Sequence, residues 1–277
     1  MTNIIRAQIY GIFHKKRAVI AILALFVLCA VTKASDIASA SAIGNMWASG
    51  SYTFVFNISG MISMVICCGI ITGFICADDF TDRTSNYEIM EGHTRSESYF
   101  GRAIAAFLLA PLISLLIFLL PVVMSTCTMG WGTVVTGLSP VRDTILIFIV
   151  LLRFTAFFVL LSFTLRNPYF VVIASIAGGI LTVVLLTAPA YLTGVTAATS
   201  VSSILSINSW EVYGVVPDLS TITDQAEVER IINRVSHCII TSDCTQERRI
   251  VIVITSFVFS LFYILTGYAY YKKDDLR

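Results

Sequence analysis

The sequence predicts an all-α polytopic membrane protein with six transmembrane helices, and composition and patterning carry that prediction. The 277 residues are 57% hydrophobic and only 13% charged, whereas soluble domains are about a quarter charged. The apolar residues gather into six runs, each near the 20 residues that a membrane-crossing helix needs. Nearly all charged residues lie between these runs. A chain this poor in charge belongs in a lipid bilayer.

The six predicted spans lie near residues 18–36, 53–77, 103–125, 144–165, 169–191 and 250–271. The first is the least certain in length, because only fifteen residues separate Arg17 from Lys33. A basic start, an apolar run and then small residues are also typical of a cleaved signal peptide. A signal peptide is therefore the alternative interpretation of the first run.

Two segments outside the spans have a predicted structure of their own. Residues 1–17 place Ile5, Ile9, Ile12 and Phe13 on one helical face, which predicts an amphipathic helix in the membrane interface; the alternative is the start of span 1. Residues 192–249, between spans 5 and 6, predict an external cap folded onto the helix ends.

Cysteines and histidines indicate no metal site, since the sequence has neither a CxxC pair nor an HExxH motif. Four cysteines fall in or at the ends of spans, where cysteine behaves as a small hydrophobe: Cys29, Cys67, Cys68 and Cys76. Cys238 and Cys244 both fall in the predicted external cap, where an oxidising compartment would allow a disulfide between them.

Basic residues predict the orientation, because Lys and Arg in short loops mark the cytoplasmic side. With the N-terminus inside, the short outer loops hold only Lys33 and Arg142, and the 192–249 loop is too long for the rule to apply. The inner segments hold eleven basic residues: Arg6, Lys15, Lys16, Arg17, Arg83, Arg95, Arg102, Arg166, Lys272, Lys273 and Arg277. Both termini are therefore predicted to be cytoplasmic.

Several motifs are absent from the sequence, and their absence reduces the number of functional classes to consider. There is no G-x-x-x-x-G-K-[ST] phosphate loop, so the chain does not bind ATP in that way by itself. Apart from Asp36 at the very end of the first run, no carboxylate lies within an apolar run, although proton-driven carriers usually place Asp, Glu or His there. Sodium coupling at a broken helix is the alternative, because Gly178, Gly179 and Pro189 interrupt span 5; packing and kinking are the simpler interpretation of these residues.

Arg153 is the one charge deep in a predicted span, twelve residues from both Val141 and Leu165. A charge at that depth costs at least about 2.5 kcal/mol. It therefore needs a partner, and two interpretations stay open. Arg153 lines a substrate path or subunit interface, or it is a structural arginine bonded to carbonyls or to side chains such as Asn57 or Thr155.

The charged segment 78–100 between spans 2 and 3 has the pattern of two successive helix starts. Ser85–Glu88 and Thr94–Glu97 both fit a capping box, in which hydroxyl and carboxylate bond to first-turn amides. Gly92 lies between them as a helix terminator. The first box predicts a helix of one to two turns, and the second starts the helix of span 3. This short cytoplasmic helix is predicted to be a docking element; an ordinary solvated loop is the alternative.

In these features the chain resembles the membrane permeases of ABC-2 type transporters, and the resemblance covers nearly its whole length. It rests on an amphipathic helix before span 1, six spans, and motifs that match by position: Asp78-Asp79-Phe80, Arg83-Thr84, Gly92–Arg95 and Asp274-Asp275-Leu276. The family commonly has Gly-Thr where this chain has Arg83-Thr84. The resemblance implies that segment 78–100 is a coupling segment, which docks a separate ATP-binding subunit.

The resemblance further implies a bacterial plasma-membrane exporter that contains two copies of the ATP-binding subunit and two permease chains, most simply a homodimer. ATP and magnesium would bind to the partner, and this chain would itself be neither an enzyme nor a nucleic-acid binder. The implied substrate is hydrophobic or amphipathic: a peptide, an antibiotic-like compound or a lipid. An ion-coupled carrier and a non-transporting scaffold or sensor are the alternatives. The expected docking residues are Asp79, Arg83, Thr84, Ser85, Tyr87, Glu88, Ile89, Met90 and Glu91.

Overall fold

The computed structural model describes residues 2–43, 49–56, 58–81, 90–92, 94–132, 139–178, 180 and 246–273. Every regular element within these ranges is helical. In chain order the helices are α1 (Thr2–His14), α2 (Lys16–Ile43), α3 (Gly50–Phe56), α4 (Ile58–Cys76), α5 (Asp78–Thr81), α6 (Arg95–Met129), α7 (Ser139–Leu165), α8 (Pro168–Gly178) and α9 (Gln246–Lys273).

Four helices in the described ranges are long and apolar enough to cross a membrane: Lys16–Ala38, Arg95–Met129, Pro140–Leu165 and Ile252–Lys273. They correspond in position to predicted spans 1, 3, 4 and 6, so an all-α protein with apolar helices of membrane-crossing length is confirmed. Predicted spans 2 and 5 contain the shorter apolar helices Ile62–Cys76 and Pro168–Gly178. Residues 181–191 lie outside the described residues, and the total of six spans stays a prediction.

Helix boundaries differ from the predicted ones at two places. Helix α2 continues to Ile43 rather than ending near residue 36, because the residues that follow are rich in alanine, the strongest helix former. Helix α9 begins at Gln246 rather than at residue 250, because Gln, Glu and Arg are also good helix formers. The rest of the predicted external cap, with Cys238 and Cys244, lies outside the described residues.

Helix α1 packs against the bundle along one face. Ile4, Gln8 and Ile12 are buried, and their spacing of four residues puts them one above another. Ile5 and Ile9 flank this stripe and are partly buried against the same core. Phe13, which the sequence places with them, is 57% exposed. The buried stripe is therefore rotated from the predicted one, because Gln8 is held inward by a polar partner described below.

Helices α4, α6 and α7 form the centre of the bundle, with α2 against α4 and α6, and α9 along α7. Cys29, Cys67, Cys68 and Cys76 are buried free thiols in this packing, which confirms their predicted role as small core residues. Cys127, near the end of α6, is exposed.

Two glycines let α4 approach α8 closely. A Cβ atom on Gly69 would lie 2.2 Å from Ser175 Cβ, and one on Gly73 would lie 3.2 Å from Val171 Cβ. Gly69 and Gly73 are four residues apart and therefore share one helix face, the arrangement that brings membrane helices together. A larger residue at Gly69 would force the two helices apart.

The two ends of the bundle are held by different contacts. At one end, which we call the outer end, Gly50 N donates to Gly130 O at 3.0 Å and Ser51 N donates to Trp131 O at 2.7 Å. At the opposite end, which we call the inner end, α1, α5, the start of α6 and the last turns of α7 and α9 meet. The inner end is the predicted cytoplasmic side, and most of the charged residues lie there.

Candidate functional site

The inner end contains a cluster of charged and polar side chains at the point where the chain leaves α4 and enters segment 78–100. Ala77 N still donates to Gly73 O at 2.8 Å, so the helical path continues almost without a break into α5. Asp78 and Asp79 form the first turn of α5, where carboxylates are favoured by the partial positive charge of helical amides. We call Gln8, Lys15, Asp78, Asp79 and Arg102 the ion cluster.

Asp79 is the centre of the ion cluster. Gln8 Nε2 donates to Asp79 Oδ2 at 2.6 Å, and Arg102 Nη2 lies 3.4 Å from the same oxygen. Lys15 Nζ lies 3.7 Å from Asp79 Oδ1. Asp79 therefore joins α1, the α1–α2 turn and α6 to the base of segment 78–100.

The two aspartates differ in how they are held. Asp78 Oδ2 lies 2.7 Å from Lys15 Nζ, and these side chains are 18% and 29% exposed. The Arg102 side chain that faces Asp79 has no exposed surface. A charge without access to water depends on its ionic partner, whereas a partly exposed pair contributes little. Asp79 is therefore the structurally critical carboxylate of the two.

Phe80, the next residue, extends the site to α7 and α9. The guanidinium carbons of Arg102 and Arg166 lie 5.4 Å and 5.7 Å from the centre of its ring, within range of a cation–π contact. Its edge meets Phe163 and Tyr271 with ring centroids 5.8 Å and 6.1 Å apart. Five elements, α1, α5, α6, α7 and α9, thus converge on two adjacent residues, Asp79 and Phe80.

The turn that carries Arg166 is tight, as Arg166-Asn167-Pro168 in the sequence predicts, because a proline ends one helix before the next one starts. Arg166 has φ +51°, a conformation uncommon for a residue with a side chain. Asn167 Oδ1 accepts from Tyr169 N at 2.9 Å and so caps α8. Pro168 follows at the first helical position, where its missing N–H costs nothing. This geometry sets the Arg166 guanidinium beside Phe80.

The start of α6 confirms the second predicted capping box. Glu97 N donates to Thr94 Oγ1 at 3.2 Å, and Thr94 N donates to Glu97 Oε2 at 3.0 Å. Gly92 has φ +93°, as expected of a glycine that ends a helix. The first box, Ser85–Glu88, lies outside the described residues.

The first turns of α6 are in turn bonded to α9. Ser96 Oγ and Tyr268 Oη lie 2.8 Å apart, and Tyr99 Oη donates to Ile264 O at 2.8 Å. The Tyr99 ring lies against Phe163 of α7, with centroids 4.5 Å apart. Both ends of segment 78–100 are therefore attached to the bundle by polar and aromatic contacts.

The expected docking residues divide into two groups. Asp79 lies inside the ion cluster, whereas Met90 is 80% exposed and Glu91 is also exposed. The others lie outside the described residues: Arg83, Thr84, Ser85, Tyr87, Glu88 and Ile89.

Arg153 lies on α7, and its guanidinium contacts α9. Its guanidinium carbon is 5.9 Å from the ring centre of Phe154 and 5.8 Å from that of Phe259. Thr155, a partner considered from the sequence, bonds instead to Leu151 O at 2.9 Å and contacts Cys68 Sγ at 3.3 Å. Asn57 lies outside the described residues. The aromatic faces are contacts of Arg153 that sequence reasoning did not identify.

Sequence reasoning also missed most of the ion cluster. Gln8 and Lys15 are separated from Asp79 by more than sixty residues, and nothing local relates them. The sequence contains one indication that Arg102 belongs to the cluster. A basic residue in the first turns of a span needs an acidic partner, and Asp78 and Asp79 lie at the start of the segment that leads into this span.

Among the described residues no group of three or more His, Cys, Asp or Glu side chains could hold a metal ion. The chain matches no protein-family model, and no curated protein is significantly similar to it. The contacts of Asp79 and Phe80 attach the base of segment 78–100 to α1, α6, α7 and α9.

Proposed function

We propose that the chain is the transmembrane permease subunit of an ATP-driven exporter in a bacterial plasma membrane, and that segment 78–100 receives force from a separate ATP-binding subunit. The observation that carries the proposal is the attachment of this segment at both ends. Asp79 and Phe80 bind its start to α1, α6, α7 and α9. The Thr94 capping box begins α6 at its other end.

These contacts support a coupling role because they leave the segment little freedom to move independently of the membrane helices. A movement of the segment displaces Asp79 and with it Arg102, which lies two turns into α6. The same movement reaches α9 through Tyr268 and Tyr271. A loop joined to the bundle only through its backbone would absorb such a movement.

Within this proposal the expected docking residues have two roles. Asp79 is a positioning residue, because it is bonded inside the protein rather than presented to a partner. The exposed Met90 and Glu91, together with Arg83, Thr84, Ser85, Tyr87, Glu88 and Ile89, form the proposed docking surface. Apolar and acidic groups side by side suit an interface with an apolar centre and a charged rim.

Arg153 fits a place at a moving helix interface. Cation–π contacts to Phe154 and Phe259 hold the charge where α7 meets α9, with no carboxylate in an ion pair with it among the described residues. Such contacts are weaker than a buried ion pair and can be exchanged for a substrate or a second permease chain. We propose Arg153, with Asn57, as part of the substrate path or subunit interface.

The test is co-purification and transport with the docking surface altered. Tyr87→Ala and Glu88→Lys should lower retention of an ATP-binding subunit and abolish substrate-stimulated ATP hydrolysis, while the permease stays folded. Tyr270→Ala is the matched control, since Tyr270 is 44% exposed on α9 at the same end of the bundle.

Three outcomes would contradict the proposal. Normal export and ATPase activity in both variants would remove the docking role of the segment. Transport by the purified chain alone, driven by an ion gradient, would favour a secondary carrier. A chain that never retains an ATPase and transports nothing would favour a scaffold or sensor.

A further inference from the structure

The exposed surface at the α1–α2 turn is strongly basic. Of three consecutive basic residues, Lys15 turns inward to Asp78 and Asp79, whereas Lys16 and Arg17 are exposed. The first acidic residue in the chain is Asp36, so residues 1–35 contribute only positive charge. Asp78 and Asp79, at the same end of the bundle, pair with Lys15 and Arg102 within the ion cluster.

Arg17 is held in a defined place. Its Nη1 donates to Tyr169 Oη at 2.5 Å and so joins α2 to the first turn of α8. One of its five N–H groups is used by this bond, and the exposed side chain keeps others directed outward. Aromatic and basic residues together are typical of the level where a helix passes into the lipid headgroups.

An apolar hollow begins one turn further along α2. It is a shallow depression, open to its surroundings, with a volume of about 540 Å³, and it is lined only by side chains of α2: Ile20, Leu23, Ala24, Val27, Leu28 and Val31. From Ile20 to Val31 the helix rises about 17 Å at 1.5 Å per residue. That length is close to half of the ~30 Å hydrocarbon core, which is the depth of one lipid leaflet. Helix α8, whose first turn bonds to Arg17, also exposes apolar side chains, including Phe170 and Ile173.

We propose that this corner binds one anionic phospholipid, with Lys16 and Arg17 on its headgroup phosphate and an acyl chain in the hollow from Ile20 to Val31. Charge complementarity selects the lipid class. Two fixed positive charges favour a headgroup with net negative charge, whereas a zwitterionic headgroup brings a cation of its own into the basic corner. The site is independent of the transport proposal, since it requires only that α2 crosses a membrane.

The test is lipid binding to the purified full-length chain in detergent micelles, followed by native mass spectrometry during titration with phosphatidylglycerol or phosphatidylcholine. Lys16→Gln/Arg17→Gln should weaken phosphatidylglycerol binding about 30-fold, the effect of two basic residues near a lipid surface. Phosphatidylcholine binding should be unchanged. The matched control is Lys272→Gln/Lys273→Gln, which removes the same charge from exposed residues at the same end.

Two further variants distinguish lipid binding at this site from general electrostatic attraction to the basic surface. Ala24→Trp fills the hollow and should weaken phosphatidylglycerol binding without changing the charge. Tyr169→Phe removes the bond to Arg17 but keeps its charge, and should reduce the preference for phosphatidylglycerol by less than the double glutamine variant does. Size-exclusion profiles equal to wild type establish that each variant is folded.

Several results would overturn the proposal. Equal losses in the Lys16/Arg17 and Lys272/Lys273 variants would show diffuse attraction without a site. Inorganic phosphate that competes at the same concentration as the lipid would make this an anion site. A cross-link between two chains through Leu23→Cys, with no loss of lipid on Ala24→Trp, would make the hollow an interface between copies.

Discussion

Replacing Asp79 by asparagine removes one charge from the ion cluster while keeping the shape of the side chain. Gln8 Nε2 at 2.6 Å and Arg102 Nη2 at 3.4 Å then lose the carboxylate that they contact, whereas Lys15 Nζ, 3.7 Å from Asp79 Oδ1, keeps Asp78 at 2.7 Å. Arg102 is affected most, because its side chain has no exposed surface and cannot regain water where it lies.

The expected loss follows from this burial. Removing one partner of a buried ion pair costs about 3–5 kcal/mol, and the 15% exposure of the Asp79 side chain places the loss near the lower end, at about 3 kcal/mol. Asp78→Asn is the matched control: it removes the same charge one residue earlier. Asp78 pairs with a Lys15 that is 29% exposed, and such a pair contributes about 0.5–1 kcal/mol. The two variants should therefore differ by about 2 kcal/mol.

The assay is reversible unfolding in mixed micelles of detergent and denaturing surfactant, followed by helical circular dichroism. A difference below about 0.5 kcal/mol, the scatter of independent substitutions, would refute the assignment of Asp79 as the critical carboxylate. Asp79→Asn/Arg102→Met should regain part of the loss, because removing both charges leaves no buried cation. A double variant less stable than the sum of the two single ones would also contradict the reasoning.

Three other predictions concern packing, capping and orientation. Gly69→Leu should destabilise the fold by more than about 2 kcal/mol, because even its Cβ would lie 2.2 Å from Ser175 Cβ. Gly11→Ala should instead stabilise α1 by about 0.5–1 kcal/mol, because no atom lies within 4 Å of the new Cβ. The same unfolding assay measures both variants. Thr94→Ala removes the hydroxyl that accepts from Glu97 N and should cost about 1 kcal/mol, whereas Thr94→Ser should cost much less; equal losses would show that the capping hydroxyl is unimportant. In a Cys238→Ser/Cys244→Ser background, a membrane-impermeant maleimide should label the exposed Cys127 on intact cells, because the end of α6 is predicted to face outward. Labelling confined to inverted vesicles would show that the predicted orientation is reversed.

Local chemistry accounts for the predictions that the structure confirms. The Thr94–Glu97 box, the glycine at 92 and the Arg166–Pro168 turn each depend on residues within four positions of one another. Caps and turns form from such short-range bonds, so sequence alone identifies them. Long apolar runs in the same way predict the four described helices that are long and apolar enough to cross a membrane, because length and composition suffice.

Long-range pairing could not be predicted from the sequence. The bonds from Gln8 to Asp79 and from Arg17 to Tyr169 join residues 71 and 152 positions apart. Each depends on which faces of two helices pack together, and an apolar helix offers several faces of nearly equal hydrophobicity. The rotation of α1 that buries Gln8 and exposes Phe13 is one example, because a polar bond decided it against the apolar pattern.

The sequence by itself determined that this chain is an α-helical membrane protein with a charged, capped segment between its second and third apolar runs. Tertiary structure alone decided what that segment is attached to. From the sequence alone, carboxylates in a charged loop are expected to be exposed to solvent. In the structure α6 places the buried Arg102 next to one of them, Asp79. Helix packing therefore turns one of two adjacent aspartates into the point where five elements meet.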